Sequence, residues 1–346
     1  MNEWGTTDVD LTKGKAGEPV GGVIVTPRRR RRVWHVPRTL AWIVVAPFAV
    51  WAVARIAGLE RGSLPTQIMT ATPYAAAASL VAVLLAAMSR RKIATAVAVV
   101  TAATLGFSVL PRAIGSAHAA SAGRTLKVLS INMLYGQADP AGVLALVDRL
   151  DPDIISVQEL TPRGVQALDA AGLARLMPHR YLQAEWGASG GGIYARHPLT
   201  PVTNLFRPVQ HKMPVADVAL PGGAPVQVVN VHPVPPIGDQ VPKWTAGLDG
   251  LPAAAEDTVR VLAGDFNASL DHAMLRRLLA RGYVDAADQT GEGLTPTWPA
   301  NRRVPPIITI DHVLVDRRAG VRTVSIHTVR GTDHRAVFAE LTLPTG

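Results

Sequence analysis

From residue 40 to residue 110 the chain is almost continuously apolar, and this run divides into three stretches at 40–57, 68–88 and 93–110. Each approaches the ~20 residues needed to cross ~30 Å of hydrocarbon, and none has a charge in its middle. The first is rich in Trp, Ile, Val and Phe, with Arg55 near its end, where a long side chain can snorkel. The second has Pro73 and Tyr74 near its start and runs on through Leu and Ala, while the third is Ala/Thr/Val-rich. Three such stretches in succession, bordered by basic clusters, predict membrane spans within a membrane region at 39–111. Residues 1–38 have no apolar periodicity and predict a disordered tail ending in the run Arg28 to Arg32 and Arg38. Residues 112–124 are small and turn-prone, as a linker is.

From Thr125 the period changes. Residues 126–133 (LKVLSINM) read as a strand, and Val143, Leu144, Leu146, Val147 and Leu150 recur at helical spacing. A short buried strand at 153–158 and a helix at about 161–177 follow. Strands are then expected at 192–196, 215–220, 226–232 and 259–264, a helix at 270–281, and strands at 308–315, 322–328 and 335–343. Helices and strands are mixed, and β runs occur without intervening helices. A domain at 125–346 with two packed sheets flanked by helices fits this order better than a doubly wound parallel sheet.

Charge sharpens the division. Residues 1–120 hold 14 basic and 5 acidic side chains, the whole of the formal net charge of +9, while residues 121–346 hold 21 of each sign. The high pI of about 10.3 therefore says nothing of a basic nucleic-acid face on the folded domain. The absence of cysteine excludes disulfides, thiolate metal sites and a Cys nucleophile.

Several polar residues interrupt or end apolar strands: Asn132, Glu159, His232, Asp265 with Asn267, Asp311 with His312, and Asp333 with His334. A buried acid or imidazole costs several kcal/mol unless paired, metal-bound or solvated by a cleft, so repetition at strand ends points to one shared cleft. Carboxylates and amides without Cys select a hard cation, Mg²⁺ or Mn²⁺, over zinc. Two histidines and further Asp residues supply proton transfer and anion stabilisation. A Ser-His-Asp hydrolase is disfavoured, because Ser189 lies in ASGGG rather than in a strand-to-helix elbow.

The motifs SINMLYG, VQE, GGIYAR, NVHP, GDFN, IDHVLV and TDHRAV, in that order, resemble the endonuclease/exonuclease/phosphatase superfamily across about 125–342. The resemblance implies an α/β (mixed α+β) four-layer αββα sandwich, here preceded by three transmembrane helices. It implies Glu159 as the principal metal ligand, with Asn132 beside it and Asp333 completing the metal region. His232 would donate to the phosphate or protonate the leaving group. Asp265 would orient or deprotonate the attacking water, and Asn267 would hold a phosphate oxygen. Asp311 would orient His334, which contacts the phosphate or acts as base. Ala195 stands where many members carry Ser, and Thr332 replaces the usual Ser before Asp333. Neither departure removes a catalytic group.

The expected protein is a membrane-anchored, Mg²⁺-dependent phosphodiesterase, with Mn²⁺ as a substitute. Its partners are a phosphodiester substrate, nucleic acid or phospholipid, and the lipid bilayer through three spans; no protein partner is inferred. Nuclease stands first on family frequency alone, a sphingomyelinase-like lipid phosphodiesterase beside it and an inositol phosphatase third. A non-catalytic ligand-binding membrane receptor on the same fold is the rival from another class, disfavoured because the chemical groups all stand. Basic residues mark the cytoplasmic side of short loops. Arg28 to Arg32, and later Arg90, Arg91 and Lys92, place the N-terminus inside and the catalytic domain extracytoplasmic.

Overall fold

The computed structural model describes residues 38–116, 123–301 and 304–344. The expected tail, the run at 28–32, half of the expected linker and the pair Arg302–Arg303 lie outside them.

Five helices come first: α1 (Arg38–Ala57), α2 (Ser63–Met69), α3 (Thr72–Met88), α4 (Lys92–Val109) and α5 (Pro111–Ile114). Two helical segments, Thr39–Ala57 and Lys92–Ile114, are long and apolar enough to cross a membrane; α2 and α3 together make a third only as a pair bent by 76°. Small residues (Ala41, Ala82, Ala86, Ala94, Ala98) let α1, α3 and α4 approach closely. Bulky residues such as Ile43, Val50, Leu80, Val100 and Phe107 are exposed on the outside. Helices that are apolar on every side suit lipid rather than water.

Three expectations change here. The segment at 58–67, which the sequence leaves as a loop between the first two apolar stretches, is half helical, because α2 begins at Ser63. The chain breaks at Thr70 and Ala71 and restarts with Pro73 in the first turn of α3, where a residue without an N–H costs nothing. Arg55 does not snorkel. It is buried, and its Nε donates to Asp271 Oδ1 at 2.7 Å. Arg112, placed in the linker by sequence, is buried in α5 and grips the same carboxylate with two N–H donors at 2.7 and 2.9 Å.

The remaining chain runs β1 (Thr125–Asn132), α6 (Pro140–Leu150), β2 (Ile154–Gln158), α7 (Pro162–Ala171), α8 (Leu173–Leu176), β3 (His179–Gln183), β4 (Gly191–Ala195), β5 (Leu199–Pro201), β6 (Val215–Val218) and β7 (Val226–Val231). It continues through α9 (Val241–Asp249), β8 (Val259–Asp265), α10 (Ala273–Ala280), β9 (Tyr283–Asp285), α11 (Ala286–Thr290), β10 (Asp311–Asp316), β11 (Gly320–Thr328) and β12 (Arg335–Thr342). The helix expected at 161–177 is two helices, because Gly172 adopts a left-handed φ of 102° between them.

Two six-stranded sheets form, ordered β11-β12-β1-β2-β4-β3 and β5-β6-β7-β8-β10-β9. Alternation along each strand makes the layers. Val128, Ile154, Val228 and Val261 pack between the sheets. Their neighbours Leu129 and Ile155 face Val143, Val147 and Leu168 of α6 and α7, and Val229 and Leu262 face Trp244 and Leu275 of α9 and α10. Both faces of the central strands are thus covered, which explains their nearly unbroken apolar sequence.

Buried polar side chains pin the sheets together beneath the strand ends. Ser156 Oγ donates to Ala263 O at 2.7 Å, and Asn230 Nδ2 donates to Ser156 Oγ and Val157 O at 2.9 and 2.8 Å. Gly264, in GDFN, is required by the same closeness: a Cβ there would collide with the Val231 carbonyl.

Candidate active site

The first residue of the site is the last residue of β1. Asn132 is buried; its Oδ1 accepts from Leu134 N at 2.9 Å, and its Nδ2 faces Glu159 Oε1 at 3.2 Å and Asp265 Oδ2 at 3.1 Å. Strand β2 pairs in parallel beside β1, so Glu159, one residue beyond it, arrives at the same edge. Glu159 has a left-handed φ of 54°, and its Oε2 accepts from Tyr135 N at 2.8 Å. Asp265, ending β8, brings the second sheet to the same point, and its Oδ1 accepts from Asn267 N at 2.8 Å. Asn267 is also left-handed, φ 48°, with its carboxamide held on Pro233 O at 3.0 Å. A non-glycine residue in this region costs ~1–2 kcal/mol, a strain characteristic of functional sites.

Two buried histidines face these acids. His232 Nε2 lies 3.7 Å from Asp265 Oδ2 and 3.9 Å from Glu159 Oε1. His334 Nδ1–H donates to both Asp311 oxygens at 3.0–3.1 Å, while its Nε2 stands 3.7 Å from Asp265 Oδ2 and 3.9 Å from Asp333 Oδ1. Asp311 is opposite Asp265 in the β8–β10 pairing. Eight of the nine residues singled out by sequence therefore occupy one cleft at the strand ends of both sheets, while His312 is turned onto Asp285 and Ala268 O.

The two rings differ in charge. Burial pushes His232 well below the ordinary imidazole value, and the nearby His211 and His334 add to this, so it is neutral. Burial also opposes charge on His334, but Asp311 and Asp265 outweigh it and push the ring up, holding an imidazolium. Glu159 and Asp265 are both raised, chiefly by burial. Acids so placed are uncomfortable without a cation.

A cation fits. Asp333 Oδ1 is buried without a hydrogen bond, and the surrounding donors are carboxylate and amide oxygens, the set that hard divalent ions prefer. Asp265, Asp311 and His334 also offer ligand atoms within 4.8 Å of one another. Both Asp311 oxygens already accept from His334, however, whereas Asp333 Oδ1 has no hydrogen-bond partner, so the Asp333 side is the more open.

Four supporting residues stand outside the catalytic set expected from sequence, which offers Trp298 only as a substrate wall or as support for the loop before Ile308. Trp298 Nε1 donates to Asp333 Oδ2 at 3.0 Å, with its ring 6.5 Å from that of His334. Thr332 Oγ1 donates to Asn132 O at 2.8 Å and accepts from His334 N at 3.1 Å, so the hydroxyl matters and Thr serves as well as Ser. His211 lies 4.6 Å from the His232 ring and donates from Nδ1 to the His232 carbonyl at 3.2 Å. His312 bridges Asp285 Oδ2 at 2.7 Å and Ala268 O at 2.9 Å, tying β10 to the turn after Asn267. Only His312 sits at a strand end that sequence could flag.

The family model described as Endonuclease/Exonuclease/phosphatase family matches residues 129–334. The chain belongs to this family of hydrolytic phosphoesterases, and it is an enzyme of that class. Among solved structures, a family protein from Bacteroides thetaiotaomicron is similar at 15% identity and TM-score 0.51, covering 65% of this chain and 100% of its own. D. rerio TDP2, complexed with single-strand DNA product, has 18% identity, TM-score 0.49 and coverage of 63% and 99%. Sphingomyelinase C from Streptomyces griseocarneus has 18% identity, TM-score 0.42 and coverage of 63% and 99%. No curated protein matches the chain.

Proposed function

We propose that the chain is a membrane-anchored, Mg²⁺-dependent phosphodiesterase that hydrolyses its substrate by in-line attack of water. One observation carries the reading: Asn132, Glu159 and Asp333, whose Oδ1 is buried without a hydrogen bond, meet Asp265, His232 and His334 in one cleft. Asn132, Glu159 and Asp333 would hold the cation. When bound, it supplies charge neutralisation at the phosphoryl and leaving oxygens. Asp265 aligns the water and accepts its proton as the oxygen attacks phosphorus. The Asn267 carboxamide and the His334 imidazolium, fixed by Asp311, steady the phosphoryl oxygens. Neutral His232 carries a hydrogen for the phosphate or the departing oxygen as the ester P–O bond breaks. Nucleic acid and phospholipid are the substrate classes named for the similar solved proteins.

The anchoring follows from where the helices end. The C-terminal end of α1, the N-terminal end of α3 and α5 all contact the domain, through Arg55, Tyr74 and Arg112. Arg90, Arg91 and Lys92 consequently lie at the far end of α3 and α4. Positive residues favour the cytoplasmic side, so the catalytic domain is extracytoplasmic.

Purified full-length chain in detergent, given bis-p-nitrophenyl phosphate with Mg²⁺ or with EDTA, tests the enzyme. Turnover with Mg²⁺ that EDTA removes is expected. Absence of metal-dependent turnover would overturn the proposal.

A further inference from the structure

The membrane helices are built into the wall of the catalytic cleft. Six residues after His232, Gly238 N donates to Ser63 Oγ of α2 at 2.9 Å, and the same hydroxyl donates to Pro236 O at 3.3 Å. Beyond Asn267, His272 Nε2 donates to Thr66 O of α2 at 2.8 Å. On the other flank Tyr74 of α3 donates to Ile307 O at 2.7 Å, and Ile307 N donates to the carbonyl of Trp298, the residue that holds Asp333. Three loops beside the cleft, after His232, beyond Asn267 and between Trp298 and Ile307, are therefore fastened to the helical segment.

The orientation of α2 gives this mounting a direction. It lies 76° from α3, so if α3 crosses the bilayer, α2 runs close to the membrane plane. Its Leu64 and Ile68 are exposed, and so are Ile237 and Ile307 on two of the fastened loops. Exposed aliphatic side chains on an in-plane helix and on the adjoining cleft rim, continuous with membrane spans, suit the headgroup–acyl boundary. They do not suit a polyanion, whose binding rests on neutralised phosphates, and residues 121–346 carry 21 charges of each sign.

We infer that α2 and the loops bearing Ile237 and Ile307 form a platform seated in the outer bilayer surface, and that a phospholipid phosphodiester enters the cleft sideways from it. The inference rests on the phosphodiesterase reading for its substrate, but the platform is testable without catalysis.

The chain has no cysteine, so Leu64→Cys, Ile237→Cys and, as an outward control on α6, Asp148→Cys can each carry one fluorophore. Full-length protein is reconstituted into phosphatidylcholine–phosphatidylglycerol vesicles. Probes at 64 and 237 should be quenched by lipids spin-labelled near the headgroup, and the probe at 148 by aqueous iodide alone. Quenching of 237 by iodide alone would overturn the platform. In a second arm, hydrolysis of vesicle lipid is compared with that of bis-p-nitrophenyl phosphate and a DNA oligonucleotide. Ile237→Glu, with Ile237→Ser as the milder variant, should keep the soluble-ester rate and slow lipid hydrolysis by about tenfold or more, as loss of one inserted aliphatic side chain implies. An unchanged vesicle rate, or preference for the oligonucleotide, would overturn the lipid assignment. If no ester is cleaved, the phosphodiesterase reading fails, while the quenching pattern still decides the platform.

Discussion

In the proposed reaction Asn132 and Glu159 hold the cation while His334 and Asp311 steady the phosphate, and substitutions should separate the two groups. Glu159→Gln removes an anionic donor but preserves shape and leaves every acid and base in place. It should abolish turnover at limiting Mg²⁺ and recover part of it in excess Mn²⁺; a metal titration showing full activity at limiting metal would contradict the assignment. His334 and Asp311 share both carboxylate oxygens at 3.0–3.1 Å, so they act as a unit. His334→Ala and Asp311→Ala should each lower kcat by roughly 10²–10⁴, with little further loss in the double variant. Additive losses in that cycle would mean that Asp311 does not work through the ring. Trp298→Phe should keep the packing but free Asp333 Oδ2, raising the Mg²⁺ concentration needed for half-maximal rate more than it changes kcat. A change confined to kcat would place Trp298 elsewhere in the reaction.

The turn between β8 and α10 joins the cleft to helices α1 and α5 through Asp271. Its carboxylate is about 1% exposed and accepts from Arg55 and, bidentately, from Arg112. Burial alone would raise the acid, but Arg112 and Arg55 outweigh burial and hold it below its ordinary value. A lowered carboxylate contributes stability that is present above its unfolded pKa of ~3.9 and is lost as pH falls through the folded value. Asp271→Asn should therefore lower the unfolding temperature at neutral pH, and the gap from the natural chain should close below about pH 4. Removing one partner of a buried ion pair costs about 3–5 kcal/mol. A gap independent of pH would show that packing, not charge, is lost. This contact also marks where sequence stops being informative. The eight cleft residues were legible because each breaks an apolar strand at its end, where a polar group needs a reason. Asp271 sits in a polar turn, 216 residues from Arg55 and 159 from Arg112, and no local pattern links them. Helix α2 was hidden in the same way, since seven residues at the edge of an apolar run carry no periodicity of their own.

With apolar helices, cleft and docking contacts in one unit, the proposed anchoring would decide which substrates the domain meets. Residues 125–346 were readable as a mixed sandwich because period-2 strands and amphipathic helices alternate there. The rigid mounting was not readable, because the residues at 112–124 look like a flexible linker until Arg112 is seen buried against Asp271. Charge supplies the orientation. Arg90, Arg91 and Lys92 sit between α3 and α4, at the end opposite the domain, and basic residues in short loops stay on the cytoplasmic side. On the proposed anchoring the domain is expected outside. Protease added to intact spheroplasts should digest an epitope placed after residue 344 without lysis, while one inserted in the short loop around Arg90 stays protected until the membrane is opened. Reversing the loop charges, Arg90→Glu with Arg91→Glu and Lys92→Glu, should increase the protected fraction of the domain, since the bias in those three residues is what holds the loop inside. A domain shielded in the natural chain, digested only after lysis, would put the cleft in the cytoplasm and within reach of nucleic acid.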